Sequence, residues 1–152
     1  MNFNLKKIAL AFTLSTSFAA FATTGTPITR QLQASYISVS GTTSIKGLDV
    51  VYANVSAAGS LPQSITSVAY SLVAYPPQGG AETVQICYST PYSSTVGNCQ
   101  TVLPGSSGTI TAFNTLKFGR GVFVWIRHSI TGGTFPAMAP TTKDSLTINW
   151  KY

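Results

Sequence analysis

Ser145-Leu146-Thr147-Ile148-Asn149-Trp150-Lys151-Tyr152, at the end of the chain, decides the fold class. Successive strand residues point to opposite sides of a sheet, so Leu146, Ile148, Trp150 and Tyr152 share an apolar face and the residues between them a wet one. The same period of two runs back through the chain. Val122-Phe123-Val124-Trp125-Ile126 is apolar on both faces, as a central strand must be, with Val124 and Ile126 on one side and Phe123 and Trp125 on the other. Further strand-like runs are read at 36–40, 48–55, 68–75, 84–88, 99–103 and 109–113. Gly41, Gly59-Ser60-Leu61-Pro62, Pro76-Pro77-Gln78-Gly79-Gly80, Pro104-Gly105-Ser106-Ser107-Gly108 and Gly132-Gly133 punctuate them. Beyond residue 22 no window places apolar residues at i, i+3, i+4 and i+7 with caps, so helix is nearly absent. About eight short strands divided in this way predict an all-β, single-domain antiparallel β-sandwich or small barrel over 35–152. Residues 23–34 are Thr-rich and lack alternation, and they read as a loose N-terminal arm.

The opposite end carries an address. Lys6 and Lys7 precede an apolar run from Ile8 to Ala20, and Ala20-Phe21-Ala22 has the small-x-small pattern of a signal-peptidase site. Residues 1–22 therefore read as a removed secretory signal peptide, with the mature chain starting near Thr23. The run is broken by Thr13, Ser15, Thr16 and Ser17 and falls short of the roughly 20 apolar residues a bilayer needs. No later stretch is long or apolar enough either, so the expectation is a periplasmic or extracellular protein without stable membrane insertion. About 130 residues remain, enough for one domain with a substantial core. Losing Lys6 and Lys7 lowers the formal net charge from +6 to +4. The remaining cations are scattered in sequence, whereas nucleic-acid binders cluster theirs to neutralise successive phosphates. No nucleic-acid partner is expected.

Cys87 and Cys99 are the only cysteines. An even count in a secreted chain favours a disulfide, and the strand-like runs around them, with Pro91 and Gly97-Asn98 between, suit a bridge across a hairpin. Closing so short a loop stabilises by about 2–3 kcal/mol in the chain-entropy model. A redox pair would favour Cys-x-x-Cys spacing, which is absent.

Catalytic sets are missing from the sequence. The mature chain holds only Asp49, Glu82 and Asp144, too few to favour paired-carboxylate hydrolysis. His128 is in phase with Val124 and Ile126, and its neighbour Ser129 points to the other face, so the two cannot form a catalytic pair directly. It reads as a partly buried or strand-end histidine. Pro104-Gly105-Ser106-Ser107-Gly108 has the wrong spacing for a nucleophile elbow. One histidine and two bridged cysteines cannot assemble a zinc set, so neither metal nor cofactor is expected. Surface for binding is what remains. Trp125 and Trp150 sit in strong strand patterns and read as core, while Tyr36, Tyr70, Tyr75, Tyr88 and Tyr92 could stack on sugars or anchor a protein. Tyr88 and Tyr92, on or beside the disulfide loop, are expected to be exposed. That loop and the Gly132-Gly133 turn form the expected partner-binding surface.

Several motifs from residue 68 onward occur in a fixed order. They are Ser71-Leu72-Val73-Ala74-Tyr75, Val84-Gln85-Ile86-Cys87, Cys99, Leu116-Lys117-Phe118, Phe123-Val124-Trp125, Gly132-Gly133, Phe135-Pro136-Ala137-Met138 and the Ile148-Asn149-Trp150 ending. In that order they resemble the flagellar protein FlhE family, small secreted proteins encoded with flagellar export genes. Here the cysteines stand farther apart than in that family, and Arg127-His128-Ser129-Ile130 lengthens the segment after Trp125. The resemblance implies a non-enzymatic periplasmic accessory with chaperone-like binding of flagellar export, rod or subunit proteins. It supplies no catalytic residues. Two other readings remain open: a pilin-like subunit of a surface fibre, and a carbohydrate-binding sandwich with a flat row of exposed aromatics. The segment from Thr23 to Arg30 lacks the alternating apolar residues of a donor strand.

Overall fold

A computed structural model describes residues 22–93 and 97–152. Apart from Ala22, the segment read as a signal peptide lies outside the described residues. Eight strands form two antiparallel four-stranded sheets, a sandwich and not a closed barrel. In chain order they are β1 (Ile28–Leu32), β2 (Thr43–Asp49), β3 (Ser64–Ser71), β4 (Ala81–Ser89), β5 (Cys99–Val102), β6 (Ser107–Ile110), β7 (Phe123–Thr131) and β8 (Asp144–Lys151). One sheet runs β1-β8-β3-β6 and the other β2-β7-β4-β5. The strands with the strongest sequence patterns, β8 and β7, are thus both internal. Leu146, Ile148 and Trp150 of β8 share one buried core with Val124 and Ile126 of β7 and Val84 and Ile86 of β4. Fully burying such a side chain contributes about 1.5–3 kcal/mol. A satellite cluster of Ala34, Ile37, Tyr75, Ile130 and Ala137 closes one end.

Several local readings are corrected. The N-terminal arm is not loose: Ile28 pairs with Ile148 and Leu32 with Asp144, making β1 an edge strand. Upstream, Thr23 exchanges backbone hydrogen bonds with Tyr152 at 2.7 and 2.9 Å. Only Ile28 and Leu32 of β1 are buried, because an edge strand is held by backbone pairing and needs little side-chain alternation. Residues 36–40 form no strand and contribute one isolated bridge, Ile37 to Ala137. The run 48–55 is strand only to Asp49, and Tyr52–Val55 then makes a single helical turn, α1. The side chain of Asn54 accepts the Val51 N–H at 3.0 Å, the local bond that starts that turn. The strands expected at 68–75 and 109–113 begin earlier and end earlier, as β3 and β6.

Candidate functional site

The titratable groups converge inside the molecule. His128 faces the core from β7, as its phase with Val124 and Ile126 requires, and is 1% exposed. Its Nδ1 lies 2.7 Å from Glu82 Oε1 on β4, and its Nε2 lies 3.1 Å from Asp144 Oδ2 on β8. Glu82 also accepts the Tyr75 N–H at 3.0 Å and Asp144 the Val73 N–H at 2.8 Å. Burial alone would lower the imidazole pKa. The hydrogen bonds and charges of Asp144 and Glu82 outweigh it and raise the pKa to about 9. His128 is therefore an imidazolium at neutral pH, donating from both nitrogens, and the trio clasps one sheet to the other. The Tyr75 ring packs against His128 at 5.5 Å, and its hydroxyl donates to the Ser35 carbonyl. Burial raises the Tyr75 phenol above its ordinary value. With both nitrogens engaged and no exposure, His128 is not placed to act as a base on an outside substrate.

The residues proposed for binding from sequence do not lie together. Cys87 and Cys99 are bonded, as expected, and face each other in the β4–β5 ladder. Tyr88, expected at the surface, is fully buried. It shares the inner face of β4 with Val84 and Ile86, its ring lies 5.4 Å from Phe113, and its hydroxyl donates to the Lys117 carbonyl at 2.6 Å. Burial pushes the Tyr88 phenol far up. Gly132 and Gly133 form a turn with φ of 71° and 83°. A side chain on Gly133 would collide with the Gln78 carbonyl oxygen at 2.3 Å, so this pair has a conformational reason to be glycine. Cys87 registers with Trp125 and Ala81 with Thr131, six residues apart along β4. At ~3.3 Å per residue the Gly132-Gly133 turn thus sits roughly 20 Å from the disulfide, at the opposite end of the sheet. The expected joint surface is not one surface.

Tyr92 keeps its place at the exposed end. It is 76% exposed, and its φ of 58° makes it the only non-glycine residue with positive φ among the described residues. That backbone region is uncommon for a bulky residue and often marks a functional position. Its N–H bonds the Gly121 carbonyl at 3.0 Å. Its ring lies over Gly121, where a Cβ would come within 2.8 Å of the ring. Between Tyr92, Arg120-Gly121 and residues 49–53 runs a groove of about 560 Å³, with the exposed side chains of Val51 and Tyr52 on its far wall. Tyr52 is 65% exposed. Sequence reasoning missed Val51, Tyr52 and Arg120. Tyr52 lies within the run 48–55 that reads as a strand, and the available signal is the Gly119-Arg120-Gly121 run, an arginine held between two glycines.

Trp125 is buried, but outside the two core clusters. Its ring stacks on Phe123 at 5.2 Å and 18° on the outer face of the sheet, across the ladder from Cys87 and Gly47. Among the described residues no group of three or more His, Cys, Asp or Glu is disposed to hold a metal ion, and no helix is long and apolar enough to cross a membrane. Compared with known proteins, the chain matches no protein-family model, no curated protein and no solved structure.

Proposed function

We propose that this protein is a non-enzymatic periplasmic accessory that works by holding a protein partner. The flagellar export apparatus and its exported subunits are the setting to which its resemblance to the FlhE family points. The observation that carries the reading is the groove beside Tyr92, where two exposed tyrosines and Val51 offer rigid apolar contact area of the kind that anchors protein interfaces. The internal use of His128, Glu82 and Asp144 supports a binding rather than a catalytic role. The disulfide and the leader-like residues 1–22 support an oxidising, extracytoplasmic compartment. Residues 23–32 are engaged along β8, which speaks against a free donor strand and hence against a fibre subunit.

The test is capture from a periplasmic extract of a flagellated source cell. Immobilised protein is expected to retain flagellar export, rod or subunit proteins, and Tyr92→Asp is expected to abolish retention at an unchanged melting temperature. Asp tolerates the left-handed backbone at that position, so the variant should fold. Retention of polysaccharide alone would favour the carbohydrate-binding reading, which the pair of exposed tyrosines also suits. Retention of neither would reject binding at this end.

A further inference from the structure

Four strands lie at sheet edges, β1 and β6 in one sheet and β2 and β5 in the other. An open edge presents backbone N–H and C=O groups that another strand can pair, and a charged side chain on the edge is a common guard against that. Arg30 stands on β1 and Lys46 on β2. Neither β5 nor β6 has such a residue, because the chain carries no charge from Thr83 to Leu116. Lys117, however, bridges Ser64 on the same side of β3 as β6. That leaves β5 as the edge with no cation along it among the described strands.

The free groups of β5 can be named. Tyr88 N–H donates to the Asn98 carbonyl at 2.9 Å, so Tyr88 and Asn98 are a hydrogen-bonded pair of the β4–β5 ladder. Bonded and non-bonded pairs alternate in an antiparallel ladder, which makes Ile86–Gln100 and Val84–Val102 bonded and turns the N–H and C=O of Cys99 and Thr101 away from β4. Thr101 is exposed, Cys99 is half-buried, and Leu103, next in the same phase, is 76% exposed. In the row of Thr101 the cation is Arg127, two strands in, and its guanidinium donates to Gln85.

We infer that β5 pairs antiparallel with β5 of a second copy of this chain, about a two-fold axis at Thr101, joining two four-stranded sheets into one. Thr101 then faces its own copy and exchanges N–H···O=C bonds with it in both directions. Two residues along, Leu103 of each copy lies opposite Cys99 of the other, so the exposed leucine covers the half-buried disulfide twice over. Charge selects the same contact. After residue 22 the cations outnumber the carboxylates, and Glu82 and Asp144 are tied to His128, so like-charged copies repel one another on most approaches. The β5 edge brings no charged residue of one copy opposite one of the other. It lies across its sheet from β2, whose end at Asp49 borders the groove beside Tyr92, so the second copy leaves that groove open.

The test is sedimentation velocity of the purified, oxidised protein from about 1 μM to about 1 mM, a range that covers the weak affinities of small interfaces. A reversible monomer–dimer equilibrium is expected. Thr101→Lys, which sets two lysines against each other on the axis, is expected to raise the dissociation constant at least about tenfold at an unchanged melting temperature. Thr101→Pro removes only an N–H that points away from β4, as a proline on an edge strand can, and is expected to weaken the dimer by a similar factor. Thr109→Lys on the β6 edge and Tyr92→Asp at the groove are expected to leave it unchanged. A protein that stays monomeric throughout the range would overturn the inference. So would a dimer that both Thr101 variants leave intact, or one that Thr109→Lys weakens as much as Thr101→Lys does. A monomeric protein that instead binds an extended Thr-Val repeat peptide would give the edge to a foreign strand and likewise overturn self-pairing. Partner capture through the groove is read by Tyr92→Asp, so either result there leaves the β5 contact to be decided by Thr101.

Discussion

Removing the imidazolium at His128 would leave the buried Asp144 carboxylate facing the half-buried Glu82 carboxylate with no cation between them. His128→Ala is therefore expected to cost about 3–5 kcal/mol, the usual penalty for breaking a buried charge cluster by deleting one partner. Denaturant unfolding at pH 7 measures it. The same residue gives a pH dependence. Its folded pKa of about 9 lies above the unfolded value of ~6.5, so its contribution is complete below about pH 6.5 and is lost as pH rises through 9. Between pH 6.5 and 10 the wild type should lose up to about 3 kcal/mol more than His128→Ala does. Parallel curves for the two proteins would show that the histidine is neutral in the fold. The clasp was half legible in sequence: an inward-facing histidine among apolar neighbours demands a partner, and the chain has few acids to supply one. Which acids they were depended on strand pairing between β4, β7 and β8, which periodicity does not specify.

Strand β8 carries the core. Trp150 is 1% exposed, its Nε1 donates to the Thr26 carbonyl at 2.8 Å, and its ring packs on Phe118 and Tyr152. Trp150→Ala is expected to cost about 3–5 kcal/mol by chemical denaturation. Gly25 lies under that ring, and a Cβ there would fall 2.1 Å from Cε2. Gly25→Ala should therefore destabilise by about 1–3 kcal/mol by displacing the segment before β1. An unchanged stability would detach that segment from the sandwich. The β4–β5 hairpin depends on Cys87–Cys99, which closes a separation of 12 residues. Reduction should lower stability by about 2–3 kcal/mol and with it the melting temperature. Two thiols labelled in unfolded, unreduced protein would reject the bond. Strands β7 and β8 were readable because internal strands bury side chains with period two. Strand β1 was not, since an edge strand is fixed by backbone bonds that leave no apolar signature, and α1 was hidden in a run that a strand could equally have used.

In the proposed function, two sheets locked by a charged clasp leave partner binding to an end of the sandwich. One end, with the Gly132-Gly133 turn, is closed by the satellite cluster, and the other holds the groove, with Arg120 and Asp49 on its lining. The aromatic residues of the groove were visible in sequence only one at a time. Tyr92 stands out in sequence for its loop, Tyr52 lies in a run that reads as a strand, and nothing in the spacing brings 49–53, 92 and 120–121 to one place. Tyr88 reads as exposed from its place beside the loop, yet its phase with Val84 and Ile86 puts it on the inner face of β4. Hydrogen–deuterium exchange on the complex with a purified, captured partner tests directly whether binding occurs at that end. Protection confined to peptides covering 49–53, 92 and 117–121 is the predicted result. Protection centred on 132–138, or none anywhere, would contradict it.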